Sequence, residues 1–236
     1  MPNDILKFKK FIVEQGKCSM KISTDSVLVG SWPELKKAKS ILDIGTGTGI
    51  IALMSAQRSN AFVDAIDIDQ NSCESASRNF SRSKWANRMA VHHSTLQGYV
   101  SNKKYDVIIS NPPFFPVPKS HNKGVAGGLA RYTHSLSFGD LAEHVTRLLD
   151  KKGKFFVILP IQESANFADE AERRKLFLTK CLWVKTTNLK KFPKRILMQF
   201  EFNQKSEFED AVLIIQEGGL YTNAYKLLTK DFYVKF

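Results

Sequence analysis

The sequence predicts an α/β fold: a doubly wound, mostly parallel sheet of about seven strands, closed by an antiparallel terminal hairpin and covered by helices on both faces. Three observations point to it. Short runs with continuous apolar centres recur at SILDI (40–44), AFVDAID (61–67), RMAVHH (88–93), YDVIIS (105–110) and KFFVILP (154–160), the composition of strands buried on both faces. Helical stretches separate them, as parallel crossovers require. Glycines crowd the turn after the first run, where the chain must pass sharply from strand to helix. The 236 residues can form one large core. No repeat, low-complexity tract or linker divides them, so residues 1–236 read as a single domain, with 1–39 an N-terminal hairpin and helix.

Each element has its own signal. Residues 5–22 alternate apolar and basic residues around Gly16, as a hairpin would, with Phe8, Phe11 and Val13 followed by Met20 and Ile22. Ser23, Thr24 and Asp25 offer N-caps to a helix carrying Val27, Leu28 and Trp32, which Pro33 ends. Further helices are expected through Ile50, Leu53 and Met54, and over 71–82. The clearest amphipathic pattern runs over 138–149, where Phe138, Leu141, Val145, Leu148 and Leu149 share a face and Ser137 with Asp140 forms a capping box. A charged helix (163–175), two strands (177–187 and 195–203), a weaker strand (211–215) and a last helix (223–230) complete the chain. Residues 114–136, with GVAGG at 124–128, show no periodicity; loops this long are most often functional or disordered.

Charge narrows the function. Lys and Arg number 35 against 23 Asp and Glu, for a net +12, which favours a polyanionic partner, nucleic acid first. The basic residues cluster at Lys36/Lys37/Lys39, Lys151/Lys152/Lys154, Arg173/Arg174/Lys175 and Lys190/Lys191/Lys194/Arg195. The last cluster surrounds Phe192 in a loop and is the best candidate for following RNA phosphates, with Arg131 in the long loop another. Three scattered cysteines imply neither a disulfide framework nor a structural zinc site, and hence a reducing compartment. The five histidines lack ligand spacing, so no metal is expected. The N-terminus has no signal-peptide pattern and nowhere do 18 apolar residues run together, so the expected location is cytoplasmic.

LDIGTGTGI (42–50) places Gly45, Gly47 and Gly49 between the first strand and its helix, where backbone can approach a ligand closely. Ile50 stands where a dinucleotide fingerprint needs its last glycine. The pattern resembles instead the first motif of the Rossmann-like class I S-adenosylmethionine-dependent methyltransferases. Asp67, ending the second strand 18 residues after Gly49, can accept both hydroxyls of a ribose, with Ile68 beside it. By the same resemblance Asp43, beneath the loop, and Thr46 within it serve the methionine end of the cofactor. Many class I enzymes carry an acid after the third strand for the adenine amine. Here His93, Ser94 and Thr95 stand in its place, leaving a Ser94 side chain or a backbone amide as candidates.

ISNPPFF (109–115) ends the fourth strand on two prolines. Asn111 and Pro112 each precede a proline and are held extended, and neither proline has an amide hydrogen. The segment is a stiff array of acceptors. The Asn111 side-chain oxygen and the Pro112 carbonyl can each take one hydrogen of a planar amine, turning its lone pair towards an activated methyl. Phe114 offers a face on which a flipped base can stack; Phe115 reads as core. In the order 3-2-1-4-5, this segment and the glycine loop face the same crevice.

An Asn-Pro-Pro-Phe at this place resembles the amino-methyltransferase signature, shared by enzymes acting on adenine N6, guanine N2 and glutamine N5. The flanks are more specific. LKFKKFIVEQGKCSMKISTDSVLVGSW (6–32), ARYTHSLSFGDL (130–141) and YKLLTKDFY (225–233) are similar to the bacterial tRNA1(Val) adenine-37 N6-methyltransferases. That resemblance implies S-adenosylmethionine as cofactor, adenosine 37 in the anticodon loop of a valine tRNA as substrate, and a monomer. It also implies that Lys21, Thr24 and Asp25 close over the methionine end, which puts the 1–39 extension on the cofactor side. Ribosomal-RNA guanine-N2 or release-factor glutamine-N5 methylation, and a cofactor-binding RNA-binding module without catalysis, are the alternatives.

Overall fold

Strand residues alternate faces with period two, and here the alternation divides two apolar layers. Ile41, Val107, Ile109, Phe156, Ile158 and Leu197 face one layer; Leu42, Ile44, Ile108, Phe155, Val157 and Met198 face the other. A sheet apolar on both faces needs cover on both. The computed structural model, which describes residues 5–16, 18, 20–113, 136–204 and 207–236, supplies it. On the first face lie α1 (Thr24–Ser31), α2 (Ile50–Arg58), α3 (Gln70–Ser81) and the C-terminal α6 (Asn223–Thr229); on the second, α4 (Phe138–Leu148) and α5 (Ile161–Glu172).

Among the described residues the strands are β1 (Ile5–Lys7), β2 (Ile12–Glu14), β3 (Ser40–Ile44), β4 (Phe62–Asp67), β5 (Met89–His93), β6 (Tyr105–Ser110), β7 (Leu149–Pro160), β8 (Phe177–Thr187), β9 (Arg195–Glu201), β10 (Glu209–Glu217) and β11 (Leu220–Tyr221). Nine form one sheet in the order β11-β10-β8-β9-β7-β6-β3-β4-β5. β5, β4, β3, β6 and β7 are parallel neighbours, the order anticipated for the first five strands. β9 runs antiparallel to both β7 and β8. β10, parallel to β8, is the weaker strand expected over 211–215 and runs longer at both ends; the short β11 at the edge was not expected. Both of these show several exposed side chains, which explains why 209–221 reads only weakly as strand.

Two boundaries shift for physical reasons. The N-terminal hairpin does not turn at Gly16. It turns at Phe8–Phe11, where Phe8 N–H donates to the Phe11 carbonyl (2.9 Å) and the two rings stack with centroids 4.9 Å apart. Burying both rings puts Lys9 and Lys10 at the tip, and the Lys9 ammonium caps the carbonyls of Lys230 and Phe236 at the far end of the chain. Met20 and Ile22 therefore form no return strand; the Ile22 amide is held by Gln15 Oε1 at 2.8 Å. At α4, the helix ends at Leu148 and Leu149 begins β7. Four residues are then passed over between the pairings Tyr105–Leu149 and Val107–Lys154, so the parallel ladder resumes after a bulge.

The N-terminal segment joins the same core. Phe8, Phe11, Val13, Val27, Leu28 and Val29 pack in the layer that holds α2, and Arg58 of α2 donates to the carbonyls of Gly30 (2.9 Å) and Pro33 (2.7 Å). A Cβ at Gly30 would stand 2.7 Å from Met54 Sδ, so the two helices cross at glycine contact. Gly30→Ala is expected to destabilise the protein by roughly 0–2 kcal/mol, the usual cost of overpacking less the roughly 0.5–1 kcal/mol that alanine gains over glycine inside a helix, read as a denaturant midpoint lowered or unchanged at the same slope.

Candidate active site

The glycine loop is hung between two strands. Gly45 N–H and Thr46 N–H both donate to the Ile66 carbonyl of β4 (2.9 and 3.1 Å), and Gly49 N–H closes back on the Thr46 carbonyl (2.9 Å). The glycines do different work. Gly45 has φ +71, and nothing lies within 4 Å of where its Cβ would be; its open side faces a cavity of about 790 Å³. Gly49 has φ +83, but a Cβ there would meet Phe80 at 2.5 Å and Ala76 at 3.2 Å, both on α3. Gly49 begins α2 and lets α3 pack against it; Gly45, Thr46 and Gly47 line the cavity.

Two carboxylates set the loop. Asp67 Oδ2 accepts from Gly47 N–H (2.8 Å) and Oδ1 from Asp69 N–H (2.9 Å). Burial raises its pKa, moderated by those two bonds. Asp43 is fully buried, with Oδ2 accepting from the Thr46 hydroxyl (2.6 Å) and Ala52 N–H (3.2 Å) while Oδ1 has no partner. Burial pushes its carboxyl up to about 7, against those two hydrogen bonds, with Asp67 adding a smaller push. Asp43 thus ties the loop to the first turn of α2 from below, while Asp67 lines the cavity itself.

Asn111 follows Ser110, the residue paired with Ile44, so the Asn-Pro-Pro segment and the glycine loop leave adjacent strands side by side. The Ser110 hydroxyl donates to the Ile44 carbonyl (3.0 Å), fastening the two strand ends. Asn111, Pro112 and Pro113 line the cavity. The Asn111 amide nitrogen donates to Ser26 Oγ at 3.0 Å, leaving Oδ1 as the acceptor the residue can offer to the cavity. Ser26 is buried in the first turn of α1, its N–H and hydroxyl within reach of the N-cap Ser23 hydroxyl (both 3.4 Å). Sequence reasoning overlooked Ser26. Its only signal was its place three residues after an N-cap serine, and nothing local announces a partner 85 residues away.

The remaining candidates divide. Lys21, Ile68 and Ser94 line the cavity, as do Leu96 and Gln97, which were not anticipated. Ser94 N–H is spent on the Asp67 carbonyl (3.0 Å) and its hydroxyl donates to the Thr95 carbonyl (2.8 Å). Thr24 and Asp25 lie in α1 away from the cavity lining, and Asp25 Oδ2 accepts from Arg195 Nε at 2.8 Å. One residue expected at the cofactor and one expected at RNA are therefore paired with each other. Lys190, Lys191 and Lys194 lie between β8 and β9. Phe114, Phe115 and Arg131 lie outside the described residues, as does all but the last residue of the stretch 114–136. Among the described residues, no three His, Cys, Asp or Glu side chains gather as a metal site, and no helix is long and apolar enough to cross a membrane.

The cavity suits a nucleoside bearing a charged, extended tail: a left-handed glycine open to it, a carboxylate at the end of β4, an unpaired buried carboxylate oxygen beneath its floor, and apolar walls at Ile68 and Leu96. Parallel sheet, glycine loop and Asn-Pro-Pro segment together define a class I S-adenosylmethionine-dependent methyltransferase. The family model described as "methyltransferase small domain" matches residues 22–132. A solved protein described as a predicted O-methyltransferase from Agrobacterium tumefaciens superposes with a TM-score of 0.66 over 88% of this chain and 96% of its own, at 17% identity. A putative RNA methyltransferase from Pyrococcus horikoshii gives 0.54 over 74% and 80%, at 15% identity. These two share the fold. Two curated relatives, both tRNA1(Val) (adenine(37)-N6)-methyltransferases, match along essentially their whole lengths. That of Trichodesmium erythraeum is 40% identical over 100% of both chains, and that of Phocaeicola vulgatus 39% identical over 99% of both. The chain belongs to this tRNA1(Val) (adenine(37)-N6)-methyltransferase family.

Three outcomes are expected from this geometry. Gly45→Ala abolishes S-adenosylmethionine binding by calorimetry at a stability cost of about 1–3 kcal/mol for left-handed strain, whereas Gly49→Ala costs about 2–6 kcal/mol because steric overlap with Phe80 adds to the strain. Ser26→Ala slows methyl transfer roughly 2- to 12-fold, the equivalent of about 0.5–1.5 kcal/mol for one net hydrogen bond, with cofactor affinity unchanged. Asp43 binds its proton more tightly folded than unfolded. Its contribution to stability is thus present at low pH and declines as pH rises from the ordinary carboxylate range of 3.8 to about 7. The unfolding midpoint of the cofactor-free protein falls across that window, and less steeply in Asp43→Asn.

Proposed function

We propose that this chain transfers the methyl group of S-adenosylmethionine to N6 of adenosine 37 in the anticodon loop of a valine tRNA, acting as a monomer in the cytoplasm. The observation that carries the chemistry is the Asn111 amide, donating to Ser26 and so leaving its oxygen free to accept, in one cavity with Pro112 and the glycine loop. An exocyclic amine offers two hydrogens, and this site offers two rigid acceptors. A protein donor there would compete for the lone pair that must attack.

When bound, S-adenosylmethionine supplies a methyl already activated by its sulfonium, so the chain's task is orientation. Gly45, Thr46 and Gly47 receive the cofactor's amino-acid end over a floor held by Asp43, and Lys21 closes that end from the N-terminal side. Asp67 would accept from the ribose hydroxyls. Ile68 and Leu96 cover the adenine, with Ser94 at its edge. Gly49 acts through helix packing, and Asp25 through its ion pair with Arg195; Thr24, at the start of α1, would stand at the rim of the methionine end. Asn111 and the Pro112 carbonyl hold the target amine in line, which alone can supply much of the acceleration. The role of Phe114 as the stacking face for the flipped adenine rests on its place in the sequence. Lys190, Lys191 and Lys194 meet phosphates of the anticodon arm, and Arg131 is assigned to the same RNA.

Labelled S-adenosylmethionine incubated with tRNA from cells lacking the enzyme is expected to yield N6-methyladenosine. N2-methylguanosine, or label on protein alone, would sink the proposal. Asn111→Ala is expected to lower turnover roughly 100- to 1000-fold, as removal of one preorganised dipole does, while cofactor affinity survives. Equal loss of both would mean the acceptor site lies elsewhere.

A further inference from the structure

The loop joining β8 to β9, residues 188–194, is built oddly for a surface turn. Leu189 is 88% exposed and Phe192 70% exposed, an arrangement that leaves large apolar groups in water without any core contact. Lys190, Lys191 and Lys194 surround them and no acid interrupts the run; the Lys191 ammonium lies over the Phe192 ring, 5.3 Å from its centroid. Both feet of the loop are fixed. Asn188 N–H donates to the Gln216 carbonyl (3.2 Å) and its side chain to Glu217 Oε1 (2.9 Å), while Lys194 N–H donates to the Val184 carbonyl (2.9 Å). Pro193 holds Phe192 extended.

The loop also stands at the right edge. β8 and β7 are both antiparallel to β9 and hence parallel to each other, so the carboxyl end of β8 opens on the side from which the glycine loop and Asn111 emerge. Arg195, at the foot of the loop, pairs with Asp25, and Asp25 precedes the Ser26 that holds Asn111. A rigid exposed ring set among cations fits unpaired RNA, whose bases stack on aromatic faces while lysines meet the backbone. A second copy of this chain, also carrying +12, would bring like charge to the same place.

We infer that this loop is a second RNA-recognition element, in which Phe192 stacks on an unpaired base neighbouring the one being methylated. Leu189 widens the apolar platform, and Lys190, Lys191 and Lys194 hold the phosphates on either side. Arg195 is not among the RNA contacts; it braces the loop against α1. The inference rests on the RNA substrate proposed above and adds a ring that reads loop structure beyond the target base.

The test is binding of a synthetic valine anticodon stem–loop to the full chain with S-adenosylhomocysteine present, at several salt concentrations. Phe192→Ala is expected to weaken binding roughly 5- to 150-fold, the range of about 1–3 kcal/mol per stacked base, with the salt slope unchanged because no charge is lost. Phe192→Trp is expected to restore affinity. Lys190→Ala with Lys191→Ala instead flattens the slope by about 1.4, at about 0.7 per single-strand phosphate contact. Wild-type affinity in Phe192→Ala, or full rescue by Phe192→Leu, would overturn the stacking role. A dimer in sedimentation that Phe192→Ala dissolves would overturn it too, by showing that the ring meets another copy. Failure of the wild-type chain to methylate any tRNA adenosine would strike the proposed function, whereas Phe192-dependent binding of unpaired RNA would still stand.

Discussion

The pairing of β3 with β6 is the constraint on which the site depends. Parallel register sets Ile44 against Ser110, and the Ser110 hydroxyl fastens the two strand ends at 3.0 Å. One residue later the two chains separate, one into the glycine loop and the other into Asn111-Pro112-Pro113. A slip of one residue in that register would turn Asn111 to the opposite face of the sheet. The slip is prevented by the cores on both sides: Ile41 and Ile109 lie in one layer, Leu42 and Ile108 in the other. Placement of the reacting groups is thus a consequence of ordinary β-sheet packing, not of contacts between the groups themselves.

That sheet leaves one thing open, the rotation of the Asn111 amide. An asparagine can present either its oxygen or its NH2, and only the oxygen suits an amine. In the structure the nitrogen is turned to Ser26, which accepts from it, and Ser26 is in the N-terminal helix rather than in the sheet. This gives the first 39 residues a meaning that their composition does not reveal. α1 is locked to α2 by Arg58 and by the glycine crossing at Met54, and α2 begins at the glycine loop. The asparagine, the serine beside it and the glycine loop are therefore tied together through α1 and α2.

Much of this was legible in the sequence because its causes are local. Buried parallel strands need continuous apolar runs, tight strand-to-helix turns need glycine, and Ser137 with Asp140 forms the capping box that its spacing announces. The glycine loop, Asp67 and Asn111-Pro112 could be found because each couples a residue type to a strand end. What escaped depended on distant partners. The hairpin turn was misplaced because Gly16 looked like the obvious turn, while the real determinant is the burial of two rings, Phe8 against Tyr233 and Phe11 against Trp85. Asp25, expected at the cofactor, and Arg195, expected at RNA, pair with each other, a contact that no spacing rule announces across 170 positions. Gly49 looked like part of the cradle, and only the 2.5 Å approach of Phe80 shows that it makes room for a helix.

The Asp25–Arg195 pair bears on how specificity can be added to such a site. An amine held by an asparagine oxygen and a proline carbonyl is recognised as an amine, and many amines satisfy that chemistry. Discrimination must come from groups outside the acceptor pair, and the carboxyl edge of the sheet is one place for them. The β8–β9 loop occupies that edge, with its foot bonded at 2.8 Å to the residue before Ser26. Partly exposed ion pairs contribute little to stability, and this one, with side chains 35% and 22% exposed, has a better use as a fixed distance. It holds the basic, aromatic loop at a set separation from the helix that carries Ser26, and through Ser26 from the Asn111 amide. Two surfaces held at a fixed separation suit a folded RNA loop, which can reach both, better than a free nucleoside, which can reach only one.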